Sequence, residues 1–288
     1  YDDRVPGPPF WGKYIRHDNN RDGIQLTLAL SRQVVDLVEH WKYPIALDLH
    51  ESVPFLYVST GTGPYNPNID PITRHEWQWI AHYEVTSLTS LGMPGVWTHD
   101  FFDGWNPGYM VFALNNRNGI GRFYETFGNS LPGTFNRTVE GGRTSQEWFR
   151  ANPPYRQVVW SLRNNINYAQ SGVLHSLHLA ATNRETLLRN YWRKASNSIQ
   201  RGRTKAPHAY VVPAAQARKA DVAHLLNLLR RHGIELHRST AARQIGDVAV
   251  ERGDFVIRLD QPYGDYAKNL MEVQNFPDNA PRPYDDVA

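Results

Sequence analysis

The chain has 288 residues, a formal net charge of +3 and no cysteine. Without thiols it has no disulfide and no thiolate zinc site, and no apolar run approaches the length of a membrane span. Hydrophobic residues make up 41%, enough for a real core and too many for a disordered chain, and the length is compatible with two domains. The basic excess lies largely between Arg184 and Arg243, with no recognisable nucleic-acid module beside it, so it reads as a solvated helical face.

Residues 1–17 are rich in proline and aromatics and read as an ordered loop, followed by a polar turn from Asp18 to Gly23. From Ile24 to Trp41, Leu30, Val34, Leu37, Val38 and Trp41 recur at helical spacing. The apolar run Ile45–Leu49, bounded by Pro44 and by Ser52-Val53-Pro54, predicts a buried strand ending at His50. Residues 52–70 are rich in turn formers and read as a long loop of the kind that often carries function. Asp70-Pro71 predicts a helix start, with the helix running to about Leu91 and stopped by Gly92 and Pro94.

Val96–Thr98 and Ile120–Thr126 read as strands, separated by a Gly- and Pro-rich loop at 103–108. Thr144-Ser145-Gln146-Glu147 has the form of a capping box, opening a helical region that extends to about Ser198 with a break near Ser171-Gly172. Ser198–Pro207 is basic and polar and reads as a linker. Beyond it, Ala209–Val212, Ile234–Leu236 and Phe255–Leu259 read as strands around an amphipathic helix at Ala220–His232 that Gly233 ends. The expected organisation is therefore α/β, with one domain over 1–200 and a small α/β domain over 206–288.

Three stretches carry chemistry. His50, at the carboxyl end of a buried strand, stands where open α/β sheets build their sites. It is either a metal ligand or a hydrogen-bonded structural residue, and Asp48 and Glu51 flank it with carboxylates that can orient an imidazole. Asn20-Arg21 offers a planar fork and an adjacent amide donor that suit a carboxylate, or else Arg21 pairs locally with Asp18 or Asp22. Glu125 ends a strand beside the Gly128-Asn129 turn and can serve as a general base, or else pairs with Arg122. His175 and His178 share a helical spacing and read as a core or surface pair. The Asn136-Arg137-Thr138 sequon carries no weight.

Taken together, Asp18-x-Asn20-Arg21-Asp22, a strand ending Asp48-Leu49-His50, and a strand ending Tyr124-Glu125-Thr126 resemble the zinc metallocarboxypeptidase family over about residues 1–150. The resemblance implies a mixed-sheet carboxypeptidase-like fold and a zinc cofactor, with His50 as the third metal ligand and Glu125 as the general base. It also implies Asn20 and Arg21 as the carboxylate pair, Arg4 as the oxyanion-stabilising residue and Tyr109 as a substrate contact. The implied activity is zinc-dependent hydrolysis of a peptide or peptide-like amide next to a free carboxylate, in a periplasmic or extracellular setting. Alternatives are an amidase or deacylase on the same scaffold, and a non-catalytic binding module.

The family's order places a His-x-x-Glu zinc pair before the Asn-Arg pair, and none stands upstream of Asn20. The chain also opens on Tyr1 rather than Met. The expectation is a chain that begins after the first two ligands, or a degenerate member that has lost them. The second α/β unit looks like the amidotransferase-like domain that follows some bacterial carboxypeptidase-like proteins, here incomplete.

Overall fold

A computed structural model of the protein describes residues 17–100, 103–128 and 132–280. Arg4 and Asn129 lie outside the described residues. The first helix, α1 (Ala29–Trp41), starts later than the apolar spacing from Ile24 implies. The cause is Asp22, whose buried carboxylate accepts the Thr27 and Leu28 N–H groups at 2.9 and 2.8 Å and the Thr27 hydroxyl at 2.6 Å. Those bonds hold 22–28 in a turn, and they keep the Asp22 carboxyl at about 2 although burial opposes its charge.

Strand β1 (Ile45–Glu51) runs one residue beyond the expected end at His50, and it is an edge strand that is only partly buried, with Leu49 exposed, rather than the buried strand its apolar run implies. A short strand, β2 (Leu56–Val58), forms inside the expected loop. Helix α2 (Pro71–Ser90) begins as the sequence predicts: Asp70 caps the Ile72 N–H at 3.0 Å and Pro71 occupies the first turn. It is followed by β3 (Val96–Trp97), the single turn α3 (Phe112–Asn115) and β4 (Ile120–Thr126). The four strands form one sheet in the order β1-β4-β2-β3. It is mixed: β1 is parallel to β4, β2 is antiparallel to β4, and β3 is parallel to β2.

Side chains alternate across this sheet. On β4, Arg122 and Tyr124 point to the face covered by α2 and by α4 (Leu162–Thr182), where they meet Glu84 and Ser176 in a buried cluster. Gly121, Phe123 and Glu125 point to the other face. There α3 crosses so closely that a Cβ on Gly121 would lie 2.0 Å from the Val111 carbonyl oxygen.

Between β4 and α4 the structure departs from expectation. Thr144–Glu147 opens no helix; Asn152-Pro153-Pro154 forbids one from continuing, and β5 (Thr134–Thr138) pairs antiparallel with β6 (Gln157–Ser161) instead. The capping box that does form uses Ser161 and Asn164, at the start of α4. That helix passes through Ser171-Gly172 without a break, and the glycine makes room for the Tyr124 ring, whose Cε1 would lie 2.8 Å from a Cβ at 172. The break comes at Asn183.

Helix α5 (Arg184–Thr204) absorbs most of the expected linker. Ser198 and Gly202 are buried, and a Cβ on Gly202 would meet the Leu259 carbonyl at 2.1 Å. The polar texture of this stretch marks a helix face packed against the second unit.

That unit comprises β7 (Ala209–Val212), α6 (Lys219–Arg231), β8 (His237–Arg238), β9 (Arg243–Ile245), β10 (Val248–Val250), β11 (Phe255–Arg258) and α7 (Gly264–Met271). Strands β7, β11 and β8 form an antiparallel sheet over a core that includes Leu229, Ile257, Leu259 and Tyr266. Gly233 ends α6 with φ of 77°, the left-handed region that favours glycine. Ile234–Leu236 is not a strand; Ile234 is buried in the core and pairing starts at His237. Buried and half-buried polar contacts dock the unit on the rest: Asn66 donates to Asn269 at 2.9 Å, Asn118 donates to the Pro262 carbonyl at 2.8 Å, and Arg201 bridges Asp70 and Asp265. Among the described residues no helix is long and apolar enough to cross a membrane.

Candidate active site

Asn20, Arg21, His50, Tyr109 and Glu125 all line one cavity of about 700 Å³. The stretches that supply them are distant in the chain, and the sheet brings them together. His50 and Glu125 are register partners on the parallel strands β1 and β4, so their side chains leave the same face. The ring of His50 also packs edge-on to Phe123, 5.6 Å between centroids.

Asp48 stands two residues before His50 and therefore on the same face, not on an alternate one. Its Oδ2 is 2.8 Å from His50 Nε2. Burial disfavours the imidazolium, but the Asp48 hydrogen bond, the Asp48 charge and the Glu125 charge outweigh it, and the His50 pKa is raised. Glu51 points elsewhere, accepting from Asn165 Nδ2 at 2.8 Å.

Glu125 is buried and accepts from the Ser52 hydroxyl at 2.8 Å. Burial raises its pKa, and the His50 charge and the Ser52 bond oppose that rise only in part. A carboxylate so placed is more basic than an exposed one. It does not pair with Arg122, whose side chain leaves the opposite face to meet Glu84 at 2.8 Å.

The carboxylate-binding candidates sit on a helical turn at Asn19–Arg21, capped by Asp18, which accepts the Asn20 N–H at 2.8 Å. Asn20 Oδ1 accepts the Met110 N–H at 3.1 Å, which leaves the amide NH₂ available to a ligand. The Arg21 guanidinium stacks on Tyr109, 4.3 Å from the ring centroid, with Asp18 Oδ2 at 3.6 Å from Nη1. Arg21 Nη1 also donates to the Asn20 carbonyl at 3.1 Å, while the Asp22 carboxylate is committed to its own turn. Tyr109, buried against Arg21, supports the guanidinium. Ser52 and the Met110 N–H carry no motif in the sequence; only the folded neighbourhood identifies them.

A catalytic zinc site takes three protein ligands and keeps one open position. With Nε2 held by Asp48, His50 keeps Nδ1 without a hydrogen-bond partner among the described residues, the arrangement of a ligating imidazole oriented by a carboxylate. Yet among the described residues no group of three or more His, Asp or Glu side chains is arranged to hold a metal. These residues fit one corner of a zinc site and do not complete it. One His-x-x-Glu spacing does occur, at His232 and Glu235, far downstream of Asn20. It offers no second corner: His232 is wholly buried with both ring nitrogens engaged, while Glu235 is exposed.

The 1–288 chain alone is accordingly expected to bind zinc weakly and to release no C-terminal amino acid at a useful rate. Calorimetric zinc titration with a parallel peptidase assay checks this; one tightly held zinc per chain with clear turnover would reveal ligands outside the cluster just described. Comparison with protein-family models, with curated proteins and with solved structures gives no match.

Proposed function

We propose that the cavity binds a peptide or peptide-like amide by its free carboxylate and hydrolyses the adjacent amide bond in a zinc-dependent reaction. The observation that supports this most is the convergence of Asn20-Arg21, His50 and Glu125 on one cavity. Arg21 presents a guanidinium already oriented by Tyr109, and Asn20 adds a donor beside it, so the pair can hold a carboxylate with charge-assisted hydrogen bonds. Glu125 takes a proton from the attacking water and returns it to the leaving amine. Ser52 keeps the Glu125 carboxylate oriented, and Asp48 keeps His50 in the tautomer with Nδ1 free to ligate. His50 would hold the zinc in part, and the bound metal would supply Lewis-acid polarisation of the scissile carbonyl.

The test compares a dipeptide substrate with its C-terminal amide in zinc-loaded protein in which the ligands these residues lack are supplied. Two charge-assisted hydrogen bonds lost should lower kcat/KM for the amide by on the order of 10²-fold. Arg21→Ala should impose a similar loss on the free acid and little on the amide. Equal turnover of acid and amide would point to an amidase that ignores the carboxylate; carboxylate binding without turnover would leave a binding module.

A further inference from the structure

The loop 18–28, α1 and α3 all contribute to the cavity, and all three are tied from behind to one side chain of the second unit. That side chain is His232, next after α6 and fully buried. Its Nε2 lies 2.7 Å from the Ile24 carbonyl oxygen, just beyond Arg21. Its Nδ1 lies 2.7 Å from Arg117 Nη2 and 3.1 Å from the Tyr266 hydroxyl. Arg117 in turn donates to the Ala113 carbonyl of α3, and through Nε to Glu39 of α1 at 2.6 Å.

A guanidinium can only donate. Nδ1 therefore accepts, and the ring proton on Nε2 is directed at Ile24. The partners fix one neutral tautomer. Protonation would set a second N–H against the Arg117 donors, and burial together with the Arg117 charge holds the imidazole at about 3.

We propose that His232 is a positioning residue for the Asn20–Arg21 carboxylate grip, so that the second unit serves as the back wall of the site. It holds the Ile24 end of the loop in place, while Arg117 holds the segment that carries Tyr109 and Met110. Those two residues contact Arg21 and Asn20 directly. The inference rests on the reading of Asn20 and Arg21 as carboxylate ligands, and its test separates the two.

The 1–288 chain is titrated with N-acetyl-L-leucine and with N-acetyl-L-leucinamide, which needs neither zinc nor turnover. Wild-type protein should prefer the acid. His232→Asn keeps an acceptor near Arg117 but is too short to reach Ile24, and should lower acid affinity roughly tenfold, the effect of one lost buried hydrogen bond, with amide affinity unchanged. His232→Gln, which can donate at the Nε2 position and accept from Arg117, should restore most of the preference. Urea melts verify that both variants are folded. Should His232→Asn fail to fold, the amide resonances of Asn20 and Arg21 in His232→Gln give the second reading, and wild-type shifts with restored affinity are then expected. A folded His232→Asn with full acid preference, or a His232→Gln that folds but binds the acid no better than the amide, overturns the positioning role. A wild-type protein that binds acid and amide equally overturns the carboxylate grip itself, and this inference with it.

Discussion

Where the remaining zinc ligands are supplied and the site is loaded, Glu125→Gln should lower turnover by about 10²–10⁴-fold, the contribution of a positioned general base. The substitution keeps the size of the side chain and an oxygen that can accept from Ser52, so the geometry beside His50 is preserved. It removes the charge and with it the capacity to take a proton. Glu125 is buried, so the variant also sheds the cost of a desolvated charge, and its stability should be equal to or above that of the wild type. Steady-state kinetics with zinc analysis of the same sample provide the check. Near-normal turnover at full zinc content would assign the proton transfer to another group.

Arg122→Met should destabilise the 1–288 chain by about 3–5 kcal/mol, the loss expected when one partner of a buried ion pair is removed. Arg122 and Glu84 are both fully shielded from solvent at 2.8 Å. The Arg122 contact is ionic rather than a well-aligned hydrogen bond, since Glu84 Oε2 lacks hydrogen-bond geometry there. Tyr124 and Ser176 both donate to the other oxygen, Oε1. Without Arg122 the Glu84 charge is stranded between α2, α4 and β4. Arg122→Met with Glu84→Gln removes both charges and should recover much of the loss, because a neutral amide can still accept from Tyr124 and Ser176. Chemical denaturation of the three proteins decides this. A single variant within 1 kcal/mol of wild type, on the scale of an exposed pair, would show that the pair contributes little.

The two substitutions concern neighbouring residues of one strand that face opposite ways. Arg122 belongs to the clamp between the sheet and its helices, and Glu125 to the cavity. In sequence both are charged residues in an apolar run, and an ion pair between them is a natural reading. Strand alternation alone forbids it.

Local signals were sufficient for much of the secondary structure. Asp70-Pro71 and Gly92 bracket α2, Gly233 ends α6, and the apolar runs at Ile45 and Ile120 are strands, because capping, proline geometry and strand alternation act within a few residues. The same short range explains the misses. Thr144–Glu147 has the letters of a capping box but is followed by Asn152-Pro153-Pro154 and lies between two strands that need each other. Ser171-Gly172 resembles a break only until Tyr124 is placed against it. Ser198–Thr204 resembles a linker because the residues that pack against Leu259 and Gln261 are small or polar.

Sequence by itself singled out the candidate side chains: an imidazole near the end of a strand, a carboxylate on a buried strand, an Asn-Arg pair on a turn. Those identities are properties of residue type and immediate neighbours. Tertiary structure alone decided that His50 and Glu125 are register partners, that Asp48 holds Nε2, that Ser52 holds Glu125, and that a histidine of the second unit stands behind the Asn20–Arg21 loop. Each of these is a contact between groups on different elements or a choice of strand neighbour. Such contacts follow from how whole faces are buried against one another, which no local spacing encodes.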